Sequence, residues 1–113
     1  MTKFVLTPNP TFKHPVQIPV PGGKTEAIVF TFKHKKRADF KAFMESLGPT
    51  DEKGRERPVR TDVELVMEIA SGWDLKDEFT VENVTELIDN YMGSGRVILA
   101  AYVEELTAAT KGN

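Results

Sequence analysis

The feature that most constrains this chain is a change of hydrophobic period at Lys35. Before it, residues 1–34 hold five of the seven prolines, Pro8, Pro10, Pro15, Pro19 and Pro21, together with every β-favouring cluster. After it, apolar residues recur at helical spacing. Strands first and helices after them describe an α+β fold, an N-terminal β-hairpin packed on about four C-terminal helices. Val16, Ile18 and Val20 alternate with Gln17 and Pro19, the period of a half-buried strand. Pro19 must sit where no ladder donor is needed, which makes this an edge strand. Pro21-Gly22-Gly23-Lys24 supplies turn chemistry. Ile28, Phe30 and Phe32 then alternate with Val29, Thr31 and Lys33 in a second strand, whose Phe face must be covered. Phe4-Val5-Leu6 is a candidate third strand, with the following Pro-Asn-Pro working against its pairing.

The helical part opens with Phe40, Phe43, Met44 and Leu47 at i, i+3, i+4 and i+7, ended by Gly48-Pro49. This first helix is expected to close the sheet by packing Phe40 and Phe43 on Phe30 and Phe32. Residues 50–58 are charged, lack aromatics and offer nothing to a core, so they read as a mobile loop. Thr61 with Glu64 forms a capping box that opens a helix with Val63, Val66, Met67 and Ala70 on one face, closed by Gly72. Thr80 is the expected cap of a third helix, with Phe79 and Val84 as a hydrophobic staple and Val84, Leu87, Ile88 and Tyr91 as its inward stripe. Gly93-Ser94-Gly95 reads as a tight turn, with Ser94 or Gly95 capping a last helix that turns Leu99, Tyr102, Val103 and Leu106 inward. Beyond it the tail is small and polar. The whole is read as one domain over 1–113, a β region at 1–34 and a helical region at 35–108.

Composition narrows function by exclusion. A formal charge of −2 on 113 residues gives no basic field for nucleic acid. It also leaves partner affinity to apolar burial rather than to charge. The absence of cysteine removes disulfides and thiolate metal sites. No apolar run approaches the roughly 20 residues of a membrane helix, and no leader opens the chain, so a cytoplasmic protein without a membrane partner is expected.

Few residues suggest chemistry. His14 and His34 are the only histidines and read as solvated residues at strand ends; the lysines around His34 disfavour a bound cation. Asp74, Asp77 and Glu78 precede a helix N-terminus, where the macrodipole favours negative charge without any catalysis. No serine, threonine or lysine has an activating partner in sequence, and no glycine loop cradles a phosphate. No catalytic, cofactor or metal residue is therefore assigned, and the chain reads as a non-enzyme. The candidate partner-binding residues are Trp73, Met92, Lys35, Lys36 and Arg37. Trp73 is the only tryptophan and stands at a joint between elements, as a core anchor or as a binding hot spot. Met92, beside Gly93 at a helix end, is the methionine best placed for an adaptable surface. Lys35, Lys36 and Arg37 belong to the only basic run, a solvated or partner-facing patch.

Motifs in order along the chain resemble one family. Phe12 with Val16-Gln17-Ile18-Pro19-Val20-Pro21-Gly22-Gly23, then Phe30-Thr31-Phe32-Lys33-His34 and Arg37, look like the front half of phage tail assembly chaperones. Gly72-Trp73-Asp74 after a helix, Phe79 before the next, Tyr91 near its end and Ala100-Ala101-Tyr102 with Leu106 fit as well. The resemblance runs from Phe12 to Leu106. It implies a host-cytoplasmic protein, from a phage or prophage, that binds the tape measure protein, keeps its apolar helices soluble and helps recruit the major tail protein. The competing expectation is a small structural tail-completion protein of the virion.

Overall fold

A computed structural model describes residues 6–107. Its elements are β1 (Thr11–Val20), β2 (Lys24–Lys33), α1 (Arg37–Glu45), α2 (Asp62–Ile69), β3 (Ala70–Trp73), α3 (Val81–Asn90) and α4 (Ser94–Thr107). The fold is α+β, with one antiparallel sheet in the order β1-β2-β3 and four helices. β1 is the edge strand, so the missing N–H groups of Pro15 and Pro19 weaken no central ladder. The hairpin closes at Val20↔Lys24, and Gly22 and Gly23 take φ of 98° and 78°, which their lack of a Cβ allows.

The third strand is not the one expected. Phe4 and Val5 lie outside the described residues, as does the tail beyond Thr107, and Leu6 stands exposed in a bend. The strand beside β2 is Ala70–Trp73, where the sequence reads as a helix end and a Gly-Trp-Asp turn. α2 ends at Ile69 and passes into β3 without a linker, with Ala70 already extended at φ −128°, ψ 153°. Thr31 pairs with Gly72 but Phe32 with Ala70, so Ser71 is the extra residue of a bulge. A four-residue strand of Ala, Ser, Gly and Trp carries no alternation to reveal it.

Of the expected pair, Phe43 is buried in the core with Phe30 and Phe32 and Phe40 packs against it only in part, while most of the cover on the sheet face comes from other helices. Val16, Ile18, Ile28, Phe30 and Phe32 are buried beneath Val66 and Ile69 of α2, Val84 and Leu87 of α3, and Ile98 and Tyr102 of α4. Tyr102 is the hub. Its ring meets Phe12 at 6.2 Å, Phe32 at 5.2 Å and Phe43 at 6.3 Å, and its hydroxyl donates to the Lys33 carbonyl at 2.8 Å. So α4 closes the sheet. Phe43 reaches Tyr102, Phe40 is half-buried, and Met44 stays exposed. Burial pushes the Tyr102 phenol up to about 12, with a smaller push from the nearby Glu68 carboxylate.

Thr61 and Thr80 cap α2 and α3 as predicted, whereas Ser94 and Gly95, the predicted caps of the last helix, lie inside α4. Thr61 Oγ1 accepts from the Glu64 amide at 3.1 Å while Glu64 accepts from the Thr61 amide at 2.9 Å, and Thr80 Oγ1 accepts from Asn83 at 3.1 Å. In α4, Ile98 and Tyr102 are fully buried, and Leu99, Val103 and Leu106 only in part. Gly93-Ser94-Gly95 is more than a turn. Gly93 has φ of 87°, whereas Ser94 and Gly95 lie inside α4 and are buried. A Cβ on Gly95 would come within 2.7 Å of the Asp62 Cβ, so glycine sets how closely α4 approaches the start of α2. Residues 50–58 form a small bonded turn, with Asp51 accepting from the Lys53 and Arg55 amides at 2.9 Å and Thr50 bridged to Glu56. The Arg55 amide holds the Asp51 carboxyl below its usual range, opposed by desolvation and helped by the Arg55 guanidinium.

Candidate partner-binding groove

Trp73 is neither fully buried nor free. Its backbone pairs with Phe30, its indole N–H donates to the Asp77 carbonyl at 2.7 Å, and its ring meets Phe30 and Phe79 edge-on at 6.0 and 5.1 Å. Those contacts fix one side of the ring, while the residue remains half-buried. Trp73 thus combines the anchor and the surface readings. Asp74 completes the strand end, its carboxylate accepting from the Val29 amide at 3.0 Å, a role that the macrodipole reading of the acidic cluster did not contain.

Trp73 lines an open groove between the 73–77 segment and α3. Leu75, Leu87 and Tyr91 complete its apolar floor, and Asp77, Glu86 and two asparagines form its rim. Leu75 and Tyr91 are 38% and 37% exposed, more than an inward stripe would allow for Tyr91. The groove is hidden in the sequence because Leu87 and Tyr91 share a helical stripe with Val84, which is fully buried, and Ile88, which packs against the core. Asn83, Glu86 and Asn90, at i, i+3 and i+7 beside them, are the signal that this stripe turns toward solvent.

The other candidate residues do not converge on it. Met92 is 89% exposed, next to Tyr91 but outside the groove lining. Lys36 and Arg37 are exposed at the start of α1. Lys35 is occupied, its ammonium 3.4 Å from Glu68 and over the Phe43 ring at 5.3 Å. Arg60 joins that knot by bonding Glu68 and Ser46 and lying 5.9 Å from the Phe43 centroid. Burial alone would push Glu68 up; the Arg60 guanidinium and the Lys35 ammonium overcome it and hold the carboxyl below its usual range. This knot fastens α1 to α2. His14 is not at a strand end either: it sits mid-β1, half-buried, with Nδ1 3.5 Å from Glu105 Oε1. Among the described residues, no group of three or more His, Asp or Glu side chains is placed to hold a metal. No described helix is long and apolar enough to cross a membrane.

A second hollow lies between the α1–α2 connection and α4, floored by Leu47, Pro49, Val59, Leu65 and Leu99 with arginines on its rim. It holds no aromatic side chain. The first groove carries both Trp73 and Tyr91, the residue types that dominate binding energy at interfaces.

A family model described as phage tail assembly chaperone matches residues 1–113. The chain belongs to that family. No curated protein and no solved structure matches it. The match covers all the elements around the groove.

Proposed function

We propose that this tail assembly chaperone family member binds the tape measure protein in the host cytoplasm and keeps its apolar helices soluble while the tail tube assembles around it, without catalysis. The observation that carries this reading is the open groove at Trp73, Leu75, Leu87 and Tyr91. A holding chaperone needs a stable domain and an amphipathic groove for partner helices, not an acid, a base and a nucleophile. The major tail protein is the natural second partner, recruited to the chaperone-bound tape measure protein.

Co-expression provides the test. The tape measure protein of the same phage should move from the pellet to the soluble fraction when this chain is present, and a pull-down should recover the pair. An insoluble tape measure protein and an empty pull-down would refute the proposal. Recovery of this chain as a stoichiometric band in purified tails would instead make it a structural tail protein.

A further inference from the structure

The groove is shaped for side chains of a helix. Its volume of ≈ 230 Å³ is below the roughly 300–1,000 Å³ of small-molecule pockets. Its wall runs along α3 from Asn83 and ends on Tyr91, the residue just past the helix, close to two helical turns, about 12 Å at 1.5 Å per residue. A second helix laid beside α3 presents anchors at the matching i, i+4 spacing.

The charge around the groove selects which helix. From Asp74 to Tyr91 the chain carries six carboxylates against one cation, Lys76, so the rest of the chain has an excess of lysine and arginine. Among the described residues, none of those six carboxylates lies within ion-pair distance of a cation, whereas Asp51, Glu68 and Glu105 each has a basic partner. Two of the six accept from neutral donors only, Asp74 from the Val29 amide and Glu86 from the Asn90 side chain. Asp77 and Glu86 stand directly on the groove rim. An apolar floor inside an unneutralised acidic border repels acidic helices and favours cations placed beside apolar anchors.

We infer that the groove receives a partner-protein helix whose apolar anchors are bordered by lysine or arginine, the anchors filling the Trp73–Tyr91 floor and the cations meeting Asp77 and Glu86. In naming the tape measure protein as the source of that helix, the inference rests on the chaperone reading; the groove's preference does not depend on it. The chain-wide charge of −2 conceals this preference, because the fold gathers acids here that the basic segments balance elsewhere. Binding is therefore salt-sensitive, contrary to the expectation from net charge.

Trp73, the chain's single tryptophan, is a built-in reporter. The experiment titrates the protein with three synthetic helical peptides that share one leucine stripe and carry lysine, glutamine or glutamate on its borders. The lysine peptide should give a saturable shift in Trp73 emission. Its affinity should exceed that of the glutamine peptide by about tenfold and converge on it near 1 M salt, where the screening length is about 3 Å. The glutamate peptide should not bind. Asp77→Lys with Glu86→Lys, checked for an unchanged helical circular dichroism spectrum, should reverse the order of the lysine and glutamate peptides. Equal affinities for the three peptides, or no shift with the lysine peptide, overturns the inference from the unmodified protein alone. Co-expression separates the two claims. If the doubly reversed variant solubilises the tape measure protein as well as the parent does, the groove assignment fails and the chaperone reading stands. If the parent binds the lysine peptide but leaves the tape measure protein insoluble, the chaperone reading fails and the groove stands.

Discussion

Beyond the Lys33 end of β2, the charges closest to the Phe43 ring are tied down. Glu68 is held by Arg60 and Lys35, both cations also lie over the Phe43 ring, and the Tyr102 hydroxyl closes on the Lys33 carbonyl. Where Phe30 pairs with Trp73, the opposite holds: aromatic and aliphatic side chains are left half-open beneath carboxylates that have no cation among the described residues. The difference teaches how a small domain without cysteines divides its polar residues. Paired charges fasten a helix that buries little of its own surface, α1, to the body of the fold. Among the described residues, carboxylates without a cation border the groove that carries Trp73 and Tyr91, where a partner can supply what is missing.

If that division is right, substitutions on the two sides should fall very unequally on stability. Tyr102→Ala should cost about 3–5 kcal/mol in urea unfolding, as expected for a large aromatic removed from a packed centre. A loss below that of Trp73→Ala would break the comparison. The phenol offers a check without any cavity: in Tyr91→Phe protein, absorbance titration should follow Tyr102 alone, with its midpoint pushed up to about 12. Because the folded value is raised above the ordinary 10.0, the folded state keeps a proton that the unfolded chain loses. Stability should then fall as pH rises from 10.0 toward about 12. Trp73→Ala, at a half-buried residue, should cost roughly 2 kcal/mol. An emission maximum of the native protein at the position of fully buried tryptophan would show that the ring is not available to a partner.

Much of the fold was legible in the sequence, and the part that was not has definite causes. The hairpin, its edge strand and the capping residues Thr61 and Thr80 rest on local rules, so alternation, proline placement and cap spacing suffice to find them. β3 escaped because Ala70 continues the helical spacing of Val66, and Gly72 resembles a helix stop; only pairing with Thr31, distant in the chain, makes the segment a strand. The part of α4 in covering the sheet was underrated for a related reason. Phe40 and Phe43 are near the sheet in sequence, while Tyr102 reaches it only through the packing of α4. Of the five candidate surface residues, Trp73, singled out by its uniqueness, is the one that lines the groove. Leu75, Leu87 and Tyr91 were missed because a core stripe and a groove stripe on one helix look alike until the opposite wall is known.

A smaller effect is expected at the charged knot. Glu68→Gln should cost roughly 1 kcal/mol, since the pair is partly open to solvent and screened, yet the variant leaves two cations beside Phe43 without their anion. Glu68 sits below its usual 4.5, so its contribution is full above that value and is lost as pH falls through the lower folded value. The parent should accordingly lose more stability than Glu68→Gln on acidification below pH 4.5. Equal acid sensitivity would show that the knot does not contribute to holding α1.

The smallest effect should come from removing carboxylates at the groove. Asp77 and Glu86 have no cationic partner among the described residues and face others of the same sign along α3 and the segment before it. Neutralising them as Asp77→Asn with Glu86→Gln breaks no ion pair and relieves repulsion, so unfolding free energy should change by less than about 0.5 kcal/mol or rise slightly. The Asn90 amide keeps an acceptor in the introduced glutamine, and the Trp73 indole still finds the residue-77 carbonyl, because both groups survive the change. Urea midpoints of this pair and of Glu68→Gln, measured in the same buffer at low salt, make the contrast direct. A loss at the groove as large as that at Glu68 would mean that its carboxylates hold the fold together, and that the open acidic border is structural rather than reserved for a partner.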